Sequence, residues 1–191
     1  MTAQPPVIIV SGPSGVGKST VIRRVLRECG LPLRLSVSAT TRAPRPHEQD
    51  GVDYYFWTRE RFDQEVKAGH FLEWAEVVGN RYGTPRGEIE KARQQGCGVV
   101  LDIDTHGAAQ IRAQVPGCVS IFLFAPMGEY EKRLRARGTE TEEAIARRLA
   151  NARAELEHRN EYTHQVENDD LDAAVLGVCD LIRRHFDGNE P

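Results

Sequence analysis

A glycine, four intervening residues and then Gly-Lys-Ser, entered directly from an apolar run, constrains this chain more than any other feature in it. The run is Val7-Ile8-Ile9-Val10 and the pattern is Gly12-Pro13-Ser14-Gly15-Val16-Gly17-Lys18-Ser19. A buried strand that passes through a glycine-rich turn into a helix aims successive backbone N–H groups, together with the positive end of the helix dipole, at one small volume. Gly12, Gly15 and Gly17 let the backbone approach an anion with no Cβ in the way. Lys18 can reach the outer phosphates of a polyphosphate, and the Ser19 hydroxyl can ligate magnesium. The stretch implies a P-loop that binds a nucleoside triphosphate, and it sets an α/β fold around it.

Composition limits what can surround the loop. With 191 residues, 40% of them hydrophobic, the chain suits one well-cored domain with small inserted parts. A net charge of −3 supplies no basic field for wrapping a nucleic acid, so no nucleic-acid partner is expected. Cys29, Cys97, Cys118 and Cys179 show no Cys-x-x-Cys spacing, and the N-terminus has neither a basic start nor a long apolar core, which reads as a reduced, cytoplasmic protein. Apolar runs such as Val7 to Val10 and Ile121 to Ala125 fall far short of the roughly 20 residues that cross a bilayer, and no membrane partner is expected. A monomer or a small homo-oligomer fits these properties.

Periodicity organises the rest. Lys18 to Cys29 carries Val21, Ile22, Val25 and Leu26 at helical spacing and stops at Gly30 and Pro32; Leu33 to Ser38 alternates as a second strand. Thr40 to Glu48 is too polar for core, and its prolines hold Arg42 and Arg45 in extended backbone where an anion is the natural partner. In Tyr54-Tyr55-Phe56-Trp57 the last two are expected in the core, while a tyrosine hydroxyl near the arginines can donate to a phosphate. Thr58 should cap a short helix ending at Gly69, and Phe71 to Val78 reads as a strand in which Glu73 and Glu76 face opposite ways. Residues 40 to 86 interrupt the α/β alternation and read as an insertion. Val99 to Asp104 is a buried strand ending in acids beside the ligand crevice, with Asp104 equally suited to capping the next helix. Val119 to Phe124 is another strand. Glu129 to Arg137 then places Arg133 and Arg137 on one helical face, Gly138 breaks the helix, and Thr139 to Glu142 restarts it with a capping-box pattern. On that second helix Arg148 borders the stripe Ile145, Leu149, Ala152 and Leu156, whereas Arg147 points away. Three arginines around a hinged hairpin suit a mobile phosphoryl-transfer lid. His164 to Glu167 is a short last strand, and Asn168-Asp169-Asp170 should cap a final helix from Leu171 to about Phe186.

These residues together resemble the guanylate kinase family over nearly the whole chain. The resemblance is carried by Ser11 to Ser19, Ser36 to Pro46, Gly51 to Phe56, Phe71 to Glu76, Tyr82 to Pro85, Leu101 to Asp104 and Arg137 to Glu143. It implies magnesium-dependent transfer of the ATP γ-phosphoryl group to GMP. The fold it implies is a three-layer P-loop NTPase core with a mostly parallel sheet (about 5–38, 87–126 and 160–187), a small mixed β-rich acceptor-binding subdomain (about 39–86) and a helical lid (about 127–159). It makes Arg42, Arg45, Tyr54 and Tyr82 holders of the acceptor phosphate, and Ser38, Glu73, Thr84 and Asp102 readers of guanine, whose N1–H and 2-amino groups carboxylates accept. Lys18, Arg42, Arg133, Arg137 and Arg148 would be catalytic, Asn168 a contact near adenine, and Ser19 a magnesium ligand, with Asp102 or Asp104 acting through water. Two positions depart from the family: Thr105-His106-Gly107 replaces a small residue and glutamine before glycine, putting His106 near enough to affect binding or pH dependence, and His47 stands where glycine is usual. The alternative on the same fold is a non-catalytic module that binds a phosphorylated peptide; it is expected to have an eroded P-loop, and this chain keeps Lys18 and Ser19.

Overall fold

The computed structural model describes residues 4–77, 79–136 and 141–186. The apolar run becomes β1 (Val7–Ser11), buried at all five positions, and a strand with no polar face must be covered on both sides. It is central in a five-stranded parallel sheet of order β2 (Leu33–Leu35), β7 (Gly98–Asp102), β1, β8 (Val119–Phe124), β9 (His164–Glu167). Successive residues of β1 serve opposite faces. Ile8 and Val10 join Val21, Ile22 and Val25 of α1 (Lys18–Glu28) with Val175, Val178 and Ile182 of α7 (Leu171–Phe186). Val7 and Ile9 instead join Ile89 and Ala92 of α3 (Gly87–Gln94) with Ala108 and Ile111 of α4 (Thr105–Gln114). The result is a helix–sheet–helix sandwich with β1, and hence the glycine loop, at its middle.

A second sheet lies in the interrupting stretch. Its order is β4 (Tyr55–Phe56), β3 (Ala39–Thr40), β6 (Asn80–Pro85), β5 (Phe71–Val77), with both parallel and antiparallel pairs. The helix α2 (Arg59–Lys67) follows Thr58, whose side chain accepts from the Arg61 amide as a cap should. Its Phe62 stacks on Phe71 with ring centroids 4.5 Å apart, closing a small core with Ala39, Tyr55 and Trp57.

Two expectations are corrected here. The alternation over Leu33 to Ser38 is not one strand: Leu33–Leu35 belongs to the first sheet, and the chain crosses to the second through residues 36–38. The aromatic run also divides differently, because Tyr55 and Trp57 pack on the small core while Phe56 lies beside Tyr54 and Arg42. Strand alternation, once anchored by Trp57, assigns the four rings to two faces. Near the other end, α5 (Met127–Ala136) and α6 (Glu142–Glu157) form a helical hairpin, and Thr141 caps α6 by accepting from the Ala144 amide. Arg137, Gly138 and Thr139 lie outside the described residues. Asp170 caps α7 through the Ala173 amide.

Candidate active site

The C-terminal end of β1 leads into the loop, and there the glycines are geometric necessities. Gly12 has φ +140°, and a Cβ on it would stand 2.1 Å from the Leu123 carbonyl oxygen. Gly17 has φ +98° and ends the loop as the helix N-cap, with no side chain capping the first-turn amides, so these amides are available to an anion. Lys18 Nζ donates to the Gly12 carbonyl across the loop at 2.6 Å. A cavity of about 360 Å³ is lined by Gly12, Pro13, Ser14, Gly15, Gly17, Lys18, Ser19, Arg23, Asp104 and Glu155, among others. Val16 is different from its neighbours: its side chain is wholly buried in the core, and only its backbone belongs to the loop.

Two expected ligands hold the loop from behind. Asn168 is buried; its side-chain amide donates to the Val16 carbonyl at 2.7 Å. Arg133 donates to the same carbonyl at 3.0 Å and to the Asn168 carbonyl at 2.7 Å. Asn168 therefore bonds the loop backbone and is not among the residues lining the cavity. Arg148 is half-buried and Arg147 exposed, as the stripe predicts, but the structure does not bring Arg148 to the cavity wall. Glu155, from the same helix, is there instead. Burial pushes its carboxyl pKa up, against the pull of nearby Lys18 and the Ser14 amide. Sequence reading missed Glu155 and Arg23, although Glu155 follows Arg148 by seven residues, two helical turns on the same side.

A second cavity, about 230 Å³, opens beside the first. Ser38, Tyr54, Glu73, Tyr82, Asp102 and Asp104 line it with Ala75, Val77, Gly83 and Ile103. Asp104 thus lines both cavities, while its carboxylate also caps α4 by accepting from the Gly107 amide at 2.8 Å. Glu73 is only 7% exposed. Burial pushes its carboxyl up to about 7, with Asp104 adding to the rise and the Thr84 hydroxyl, which donates to it at 2.6 Å, opposing it. Thr84 is itself fully buried behind Glu73. Asp102 is raised by burial as well, against the pull of Lys18, and accepts from the Ser19 hydroxyl at 3.1 Å. Glu76, of opposite parity to Glu73, is exposed and pairs with Arg59 and Arg81.

Arg42 stands at the rim. Its guanidinium forms a two-bond fork with Glu48, both bonds at 3.0 Å, and lies 5.5 Å from the Tyr54 ring centre. Glu48 also accepts from the Arg45 amide at 2.7 Å, so one carboxylate orients the turn that carries both arginines; Arg45 itself is exposed. The turn explains His47, the only non-glycine among the described residues with positive φ, at +79°. His106 is exposed and lines a separate groove with Thr105, Ala109, His158 and Glu161, not either cavity. Among the described residues no three His, Cys, Asp or Glu side chains group as a metal cage, and none of the described helices is long and apolar enough to cross a membrane.

An anion cradle on a glycine loop at the switch between β1 and its parallel neighbours, sharing a wall with a pocket lined by three carboxylates, defines a P-loop nucleotide-binding protein. Comparison with known proteins narrows this. The guanylate kinase family model matches residues 4–185. The guanylate kinase of Symbiobacterium thermophilum is 51% identical over 92% of this chain and 83% of its own length. That of Rubrobacter xylanophilus is 46% identical over 97% of both chains. The crystal structure of guanylate kinase from Anaplasma phagocytophilum superposes with a TM-score of 0.75 at 32% identity, covering 95% of this chain and 86% of that one. The chain belongs to the guanylate kinase family of enzymes and has the family's P-loop NTPase fold.

Proposed function

We propose that this enzyme transfers the γ-phosphoryl group of ATP to GMP, and also to dGMP, giving ADP and GDP or dGDP. The observation that carries this reading is the pair of cavities joined at Asp104, one an anion cradle and the other lined by the buried carboxyl of Glu73 and the half-buried carboxyl of Asp102. The cradle takes the ATP phosphates. In the second pocket Glu73 and Asp102 accept from N1–H and the 2-amino group of guanine, with Ser38 completing the edge and Thr84 serving base reading from behind, by holding the Glu73 carboxylate. AMP lacks both donors and would leave the carboxylates unpaired. Arg42 and Arg45, with Tyr54 and Tyr82, hold the acceptor phosphate so that one of its oxygens attacks the γ-phosphorus in line as the bond to the β-phosphate oxygen breaks.

Lys18 and the loop amides offset charge on the moving phosphoryl group, and Arg133, Arg137 and Arg148 serve it from the lid. Division into a core, an acceptor subdomain at 39–86 and a lid at 127–159 belongs to the same reading. The Ser19 hydroxyl lies 3.1 Å from Asp102, beside the cradle and Asp104. This is the sparse set of hard oxygens that suits magnesium, which prefers to complete its shell with water and phosphate. When bound there, magnesium supplies positive charge to the β- and γ-phosphate oxygens. The product of this reaction serves purine nucleotide metabolism and GMP recycling, in the cytoplasm. ADP release from ATP and magnesium, measured with GMP, dGMP, AMP, CMP and UMP in turn, tests the assignment. Turnover confined to guanine acceptors is expected; no turnover with any acceptor, alongside intact binding of ATP and GMP, would favour a non-catalytic module.

A further inference from the structure

The chain passes between its two sheets twice, and one buried carboxylate ties both passages together. The first passage, residues 36–38, runs from β2 to β3. The second runs from β6 into α3, where Glu88 occupies the first turn. Glu88 is 1% exposed. Its Oε2 accepts from the Val37 amide at 2.9 Å and from Arg34 Nη2 at 3.2 Å; its Oε1 accepts from Tyr55 Oη at 3.0 Å and from Lys91 Nζ at 3.0 Å. Lys91 Nζ also donates to Tyr55 Oη at 2.6 Å, closing a triangle. Arg34 belongs to the parallel sheet, Val37 to the first passage, Tyr55 to the mixed sheet, and Glu88 with Lys91 to the second passage. Four donors from four parts of the fold converge on one group.

The partners are informative because of what stands next to them. Val37 precedes Ser38 and Tyr55 follows Tyr54, and both Ser38 and Tyr54 line the second cavity. The Tyr55 amide donates to the Ser38 carbonyl at 2.9 Å, so the two wall segments are bonded to each other as well as to Glu88. An ionised carboxylate is needed to accept from four donors at once, and its bonds to charged groups are the stronger kind. A glutamine would turn an NH₂ toward at least one donor and leave that contact broken.

We propose that Glu88 is a positioning residue: by clamping the two inter-sheet passages it fixes where Ser38 and Tyr54 stand, and so sets the affinity of the pocket for its nucleoside monophosphate. The inference rests on reading that pocket as the GMP site. It lies outside the machinery proposed for the reaction, since Glu88 lines neither cavity.

The test uses the purified full chain and two variants. Tyr55→Phe keeps the ring in its core and removes the two bonds of its hydroxyl, to Glu88 and from Lys91; Glu88→Gln puts an NH₂ in place of one of the two accepting oxygens. The expected result is a graded rise in KM for GMP, about 3- to 10-fold and about 10- to 100-fold respectively, of the size that small misplacements near a site produce, with KM for ATP within about twofold of wild type. Equal changes in both KM values, or an unchanged GMP KM with a lowered unfolding midpoint, would overturn it and leave Glu88 a structural residue. Amide hydrogen exchange supplies a readout independent of the acceptor. In Glu88→Gln the amides of Val37 to Ala39 should exchange at least about tenfold faster while those of β1 stay protected; unchanged exchange at Val37 would also overturn the clamp. A wild type that phosphorylates no GMP defeats the acceptor assignment alone, and the exchange result then decides the clamp separately.

Discussion

The two cavities share Asp104 yet are built in opposite ways. The phosphate cradle comes almost entirely from one contiguous run, residues 12–20, and its binding groups are backbone amides set by glycine geometry. The neighbouring pocket draws Ser38, Tyr54, Glu73, Tyr82 and Asp102 from five separated segments, and its binding groups are side chains. A backbone site can be specified locally and tolerates little change in shape. A side-chain site depends on long-range assembly, and its carboxylates are buried at a cost to stability, so it can be altered one group at a time. The first suits what all nucleoside triphosphates have in common, and the second suits discrimination among bases.

If the division of labour holds, Lys18→Ala should cause the largest loss. Turnover should fall by at least about 10²- to 10³-fold, roughly 3 to 4 kcal/mol of transition-state stabilisation, while KM for GMP moves less than about twofold; steady-state kinetics with each substrate varied checks both. A matched rise in GMP KM would show the two sites to be coupled more tightly than their separate construction implies.

Glu73→Gln sharpens the other side through stability. Glu73 titrates near 7 in the folded protein, against about 4.3 for an ordinary glutamate. The native state therefore holds a proton that the unfolded chain releases. Its contribution is fully present below the unfolded value and is lost as pH rises through 7, by up to about 3.7 kcal/mol. The glutamine variant, which cannot ionise, should be more stable than wild type by about 3 to 4 kcal/mol at pH 8 and by little at pH 4.5, as read from urea denaturation at each pH. A difference independent of pH would contradict the burial argument.

Glu155→Gln probes the carboxylate that, with Asp104, intrudes on the cradle. Removing its charge beside Lys18 and the Ser14 amide should tighten ADP binding about three- to tenfold through relieved repulsion of the phosphates, measurable by calorimetry, with GMP affinity unchanged. The smallest effect is expected at His47, held at φ +79°. His47→Gly relieves left-handed backbone strain and should raise stability by about 0.5 to 1 kcal/mol without altering either KM, which a urea midpoint and a pair of kinetic curves would establish.

The same contrast explains what could be read from the amino-acid order. The loop, the Thr58 cap, β8 and α7 were legible because each is fixed by residues adjacent in sequence. Leu33 to Ser38 misled because its alternation continues unbroken from one sheet into the passage toward another. The faces of Tyr54 to Trp57 could not be told apart until Phe62 and Phe71 supplied the core that Trp57 packs on. The bond from the Asn168 amide to the Val16 carbonyl, between residues 152 apart in sequence, could not be read from the amino-acid order. The orienting role of Glu48 for Arg42 and the intrusion of Glu155 likewise exist only after the chain has folded. The place of Asp102 at the end of a buried strand was legible; the raised Glu73 carboxyl needed the packing around it.

The central claim, that base discrimination resides in the carboxylates of the second pocket and not in the cradle, is tested most directly by comparing kcat/KM for GMP and IMP in wild type and in Glu73→Gln. IMP lacks only the 2-amino group. The account predicts a wild-type preference for GMP of at least about 100-fold, collapsing to within about fivefold in the variant while KM for ATP stays put. An undiminished GMP preference in Glu73→Gln would contradict it and place guanine recognition elsewhere in the pocket.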